Sequence, residues 1–180
     1  MCDYPEFISI DGIEYPINTD FRVAIECLNI VDDDEINDFE RAIAVSVLLF
    51  GENVPICEKT IELATKYLQC GETTETQVSR KKDMDFEQDK PFIYASFMSD
   101  YKIDLSSINM HWWQFCDLIS GLTEYSVLNR IREIRNYDLS EVKDPKSRNK
   151  IIEAQERFAL KSKLSKDEQE ALDEFESLFA

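Results

Sequence analysis

Only four glycines and five prolines punctuate 180 residues, and this scarcity of turn-formers limits the possible folds more than any other feature. A β-sandwich or barrel needs turns at regular short intervals, which Gly and Pro supply. Apolar residues instead recur at three- and four-residue spacing along most of the chain, the signature of helices with one buried face. The expectation is a mainly α, multi-helix domain with a small N-terminal β-hairpin. Hydrophobic residues at 43% against 32% charged leave enough apolar area to offset chain entropy, so global disorder is disfavoured.

The hairpin is read from Phe7-Ile8-Ser9-Ile10, the turn Asp11-Gly12, and Ile13-Glu14-Tyr15-Pro16-Ile17, because Asp-Gly readily takes the positive φ angles of a tight two-residue turn. A lone hairpin is marginal in water. It must therefore lie on the helices or pair with a strand of another chain, so a homo-oligomer is compatible with it. Asp20 caps a helix carrying Phe21, Ile25 and Leu28, which the run Val31 to Glu35 interrupts. The next is predicted from about Glu35 to Phe50 along the stripe Ile36, Phe39, Ile43, Val47 and Phe50. Its second half is so apolar that it should be the most buried, and Gly51 stops it. Pro55 is placed to open a third helix, which ends at Cys70-Gly71.

These residues, 1–71, form a predicted hairpin plus acidic helices. Residues 72–84 read as a flexible linker or loop, 85–162 as an aromatic-rich helical part, and 163–180 as a C-terminal helix; one compact domain can hold them all. In the aromatic part Phe86 to Tyr101 is helical, with Pro91 marking either a kink or a start near Asp89-Lys90. Met110 to Leu122 and Leu122 to Tyr137 follow, separated by Gly121. Asp144-Pro145 opens a helix to about Lys161, and Ser165 to Glu168 matches a capping box for the last helix to Phe179.

The formal net charge is −17, with 21 acids against 8 bases in residues 1–90 and 16 against 12 in residues 91–180. Such a charge repels phosphate backbones, so direct nucleic-acid binding is disfavoured, while basic partners are attracted. Five scattered cysteines without a CxxC pair look like reduced thiols. The longest apolar run, Ala42 to Phe50, is broken by Ser46 and is too short to span a bilayer. Neither a secretory signal nor a membrane span is expected.

Catalysis lacks an anchor. His111 is the only histidine, no phosphate-binding glycine loop occurs, and no Cys/His cluster suggests a metal. Asp32-Asp33-Asp34-Glu35 lacks the alternating ligands and central Gly of a calcium loop and fits an acidic helix start. No enzyme activity, cofactor or metal is expected. The most distinctive text is Tyr101-Lys102-Ile103-Asp104-Leu105 followed by His111-Trp112-Trp113-Gln114-Phe115. Adjacent tryptophans on a helix diverge by about 100 degrees, so one can pack inward while the other faces a groove or partner. Core packing is the commoner fate of such rings. The candidate partner-binding residues are Phe97, Tyr101, His111, Trp112, Trp113 and Phe115.

The stretch Asp85-Phe86-Glu87-Gln88-Asp89, Ile93-Tyr94-Ala95-Ser96-Phe97, Tyr101 to Leu105, Met110 to Phe115 and Leu118-Ile119-Ser120-Gly121-Leu122 resembles the bacteriophage gp-fifteen family, in order and at the expected spacing. The resemblance continues through Ile131-Arg132-Glu133-Ile134-Arg135 and Asp144-Pro145-Lys146. It includes Tyr15-Pro16-Ile17-Asn18-Thr19-Asp20-Phe21-Arg22 at the front, and spans about residues 13–160.

What it implies is a protein of long-tailed phages and prophages of Gram-positive hosts, encoded between the tail-tube and tape-measure genes. Proteins in that position are generally regarded as tail assembly chaperones, working in the host cell cytoplasm with tape-measure and tail-tube proteins as partners. Such chaperones often exist as short and frameshifted long forms. The family has no catalytic motif to carry over. Two other readings stand beside the chaperone: a structural tail component retained in the virion, and an acidic DNA mimic that inhibits a host protein.

Overall fold

The hairpin forms as the Asp-Gly turn requires. Strands β1 (Phe7–Ile10) and β2 (Ile13–Pro16) pair antiparallel in the register Phe7↔Pro16 to Ile10↔Ile13. Asp11 at φ 52° and Gly12 at φ 81° supply the two left-handed turn positions. This computed structural model describes residues 3–71 and 82–161. Most of the expected linker and the whole expected C-terminal helix lie outside the described residues. Of the two fates open to the hairpin, the structure shows docking on the chain's own helices. Ile8 and Ile10 are buried, β1 packs on a helix, and Asn18 N–H donates to Leu49 O at 2.7 Å.

Seven α-helices follow among the described residues. Helix α1 (Phe21–Val31) begins where the Asp20 carboxylate accepts from Arg22 N–H at 2.9 Å, and it buries Phe21, Ala24 and Cys27. Helix α2 (Asp38–Phe50) starts three residues later than the expected Glu35, because the Asn37 side chain accepts from Glu40 N–H at 2.9 Å and fixes the boundary there. Its buried face keeps Phe50 of the expected stripe but is otherwise turned from it: Val45, Ser46 and Leu49 point inward with Phe50 while Phe39 is 69% exposed. The apolar band is too wide to name its own inner side, and packing against both α1 and the following helix decides it. Gly51, at φ 84°, ends α2 as expected.

Helix α3 (Glu58–Leu68) starts beyond Pro55, because the Thr60 hydroxyl turns back to Pro55 O and holds residues 55–57 outside the helix. Helix α4 (Lys90–Tyr101) takes Pro91 in its first turn, so the proline marks a start and not a kink. Helices α5 (Trp112–Ser120) and α6 (Val127–Asn136) are parted by Gly121, shorter at their ends than the apolar pattern suggested. They begin where His111 and Ser126 cap them. After a 3₁₀ turn, Leu139–Glu141, helix α7 (Pro145–Phe158) is capped by Asp144, whose Oδ2 accepts from Ser147 N–H at 2.7 Å.

One apolar core runs from Ile8 of the hairpin to Leu128 of α6. Residues before and after 72–81 share it, so the acidic front and the aromatic part pack together. Helix α7, which buries no residue fully, packs outside on α6.

Candidate partner-binding site

Phe115 is the hub of the aromatic part. Its ring stacks on Phe21 of α1 at 4.5 Å between centroids, on Phe97 of α4 at 5.3 Å, and near Trp112 at 5.8 Å. Phe86 closes the group edge-on to Trp112 at 5.7 Å. Such pairs add about 0.5–1.5 kcal/mol each beyond the area they bury.

The two tryptophans have a common task. Trp112 Nε1 donates to Leu68 O at 3.0 Å and Trp113 Nε1 to Tyr67 O at 2.9 Å, while Gly71 N–H reaches Lys66 O at 2.9 Å. Three successive carbonyls at the C-terminus of α3, which an isolated helix leaves without partners, are thereby satisfied. His111 uses both ring nitrogens. Nδ1 accepts from Trp113 N–H at 3.0 Å to cap α5, so Nε2 carries the proton and donates to Pro5 O at 3.0 Å. Tyr101 donates its hydroxyl to Leu118 O at 2.8 Å.

All six residues expected to bind a partner are thus brought into one region but turned to internal work. Phe97 at 0%, Phe115 at 1% and Trp112 at 2% exposure lie within the core. Phe97 and Trp112 are packed on all sides by core neighbours, while Phe115 sits at the edge of the core. Tyr101, His111 and Trp113 are half-buried, with their polar atoms committed as above.

An open groove lies on the other side of Phe115. It has a volume of about 630 Å³ and runs between α1, α4 and the loop after α4; Ile25, Phe86, Ile93, Leu105 and Phe115 give it apolar walls. Arg22, Glu26, Glu87 and Lys90 stand on its rim. Arg22 holds the loop wall in place, with its guanidinium donating to Leu105 O and Ile108 O at 2.6 and 2.8 Å. Tyr94 lines the groove at 39% exposure, and Met98, one turn further along α4, is equally exposed. The signal for this site was Tyr94, an exposed aromatic beside the buried Ile93 and Phe97 of α4.

A second, more polar hollow of about 960 Å³ adjoins the first at Asn29 and Glu87, which line both. Arg135 lines it and is paired with Asp89, bidentate at 2.7 Å for both bonds, with side chains 9% and 1% exposed. Arg135 also donates to Phe158 O and Asp83 O, joining α4, α6, α7 and the segment before α4.

Burial, reinforced by Glu26, pushes the Cys27 thiol up to about 12. Burial likewise raises the Tyr67 phenol, helped by nearby Cys70 and Cys116. Cys57 is lowered by its hydrogen bond with the Thr60 hydroxyl. Among the described residues, no group of three or more His, Cys, Asp or Glu is placed to hold a metal ion. Nor is any described helix long and apolar enough to cross a membrane.

No curated protein and no solved structure matches this chain. A family model does, over residues 3–160, which takes in the hairpin and every described helix. This is a phage protein, and it belongs to the family described as bacteriophage Gp15 protein.

Proposed function

We propose that this protein is a non-catalytic tail assembly chaperone, which holds the tape-measure protein, the tail-tube protein or both in the host cytoplasm while the tail is built. The observation that carries the reading is the apolar groove between α1 and α4, open to solvent and walled by Ile25, Ile93 and Leu105. An amphipathic helix places an apolar face into such a groove at positions three and four apart. A tape-measure protein, as a long helical rod, offers many such faces. The net charge of −17 keeps a carrier of exposed apolar surface soluble and steers it toward basic segments.

The test is affinity capture of the tagged chain from infected or prophage-induced cells, paired with mass spectrometry of purified virions. Recovery of tape-measure or tube protein, with this chain missing from virions, is the expected result. Its presence in virions at a fixed copy number would make it a structural tail component. Capture of a basic host protein alone would remove both tail readings.

A further inference from the structure

The run Asp32-Asp33-Asp34-Glu35 is not the acidic helix start that its composition suggested. The first turn of α2 takes its carboxylates from Asp38 and Glu40, while Asp32 caps the C-terminus of α1 and the rest of the run follows it. Carboxylates are unfavourable there, because the carbonyls of a helix end already carry negative charge and the last turn of α1 holds no base. Arg41 reaches one of those carbonyls, Val31 O, at 2.9 Å. Lys82 answers the acids in part, at 3.3 Å from Asp32 Oδ2 and 3.1 Å from Asp85 Oδ2. Acids at the wrong end of a helix cost stability, and local conflicts of this kind gather at functional surfaces.

Asp32, Asp34, Asp85 and Glu87 line the polar hollow. Since Asp89 neutralises Arg135, Lys82 and Lys161 are left to face those four carboxylates. Among the described residues, neither Asp34 nor Glu87 enters an ion pair. The apolar groove is balanced, with Arg22 and Lys90 set against Glu26 and Glu87. The groove and the hollow share Asn29 and Glu87 and so form one trench, neutral and apolar towards the start of α1 and negative towards its end. From Arg22 to Asp32 the helix rises about 15 Å, which is roughly three turns of a second helix laid beside it.

We infer that the helix this trench takes is amphipathic and basic at one end, with its apolar stripe over Ile25, Ile93 and Leu105 and its lysines or arginines in the hollow beside Asp34 and Glu87. The groove alone would accept any apolar stripe. The hollow adds a choice of partner and a register, because an acidic end placed there would meet four carboxylates. Asp34 and Glu87 are surface groups, so each contact with them contributes little and is screened by salt. That such a helix belongs to a tail protein rests on the chaperone reading; the preference for a basic end does not.

Fluorescence anisotropy of two labelled peptides on the purified full chain tests that preference without any phage partner. Both have about 18 residues and the same leucine stripe at three- and four-residue spacing; one ends in lysines and the other in glutamates. The lysine peptide should bind about tenfold more tightly at low salt, and the margin should shrink as salt is raised. Asp34→Lys should cut the margin at least about threefold. Glu52→Lys, the same change of charge at an exposed position that lines neither groove nor hollow, should leave it nearly intact. Tyr94→Ala should weaken both peptides alike. Equal margins in Asp34→Lys and Glu52→Lys would overturn the inference, by reducing the preference to diffuse attraction from the net charge. Failure of both peptides to bind would also overturn it. The expected margins in a chain that captures no tail protein would sink the chaperone reading alone, and capture of tail protein by a chain that shows no margin would sink the basic-end preference alone.

Discussion

Gly71 shows how much of this fold depends on single positions. It holds φ at 79°, and a Cβ there would meet Cη2 of Trp113 at 3.1 Å. Gly71→Ala therefore incurs the left-handed penalty of about 1–2 kcal/mol, besides pressing on the ring that satisfies Tyr67 O. A urea titration should show that loss, and an unchanged midpoint would mean that the end of α3 is not held as described. Arg135 is the larger case. Arg135→Met leaves the Asp89 carboxylate buried without its cation, and removing one member of such a pair costs about 3–5 kcal/mol. Replacing both, with Asp89→Asn and Arg135→Met, should cost less than the single change, and an additive result in the cycle would contradict coupling between them.

At this scale the sequence was partly legible. Asp11-Gly12, Asp20 and Asp144 could be read because a turn or cap needs only neighbours within three residues. The roles of Trp112, Trp113 and Phe97 could not, because whether a ring meets a partner or a core depends on residues up to 94 positions away, as with Phe21 and Phe115.

The elements are joined by carboxylates that accept backbone hydrogen bonds at helix starts and turns, and this makes the fold acid-sensitive. Asp100 is lowered by Thr123 N–H and the Ser99 hydroxyl, Asp104 by the Ser106 hydroxyl and amide, Asp138 by Ser140, and Asp144 by the Ser147 hydroxyl and amide. Each folded value lies below the ordinary 3.8. Stability from these groups is therefore complete above that value and lost as pH falls through the folded ones. The urea midpoint should hold steady from neutral pH into mild acid and drop below the ordinary carboxylate value. Asp144→Asn keeps a capping acceptor that does not titrate, so it should shallow the acid drop while leaving the neutral midpoint nearly unchanged. A steeper drop in that variant would sink the assignment. Boundaries such as Asn37 and Cys57 escaped the sequence reading for a related reason. Several residues near each start could cap, and the tertiary contacts of α2 and α3 select among them.

Over the whole molecule, the aromatic text that marks the family builds the interior, while the open groove is assembled from α1, α4 and the loop after α4. No local pattern contains that groove. Ile25 and Leu105 are 80 positions apart, and the loop wall is tied to α1 through Arg22, which donates to Leu105 O and Ile108 O. The two kinds of residue should separate cleanly in experiment. Phe97→Ala opens a cavity at a fully buried site and should cost about 3–5 kcal/mol of stability, with capture of tail protein falling only as far as the folded fraction falls. The pair Lys90→Glu and Tyr94→Ala alters exposed groove positions. It should shift the urea midpoint little, yet reduce capture of tape-measure or tube protein at least about tenfold, the loss that about 1.4 kcal/mol of binding energy represents. Capture undiminished in the groove pair, but lost in a Trp113→Ala variant that stays folded, would move the partner surface back to the half-buried aromatic face around His111.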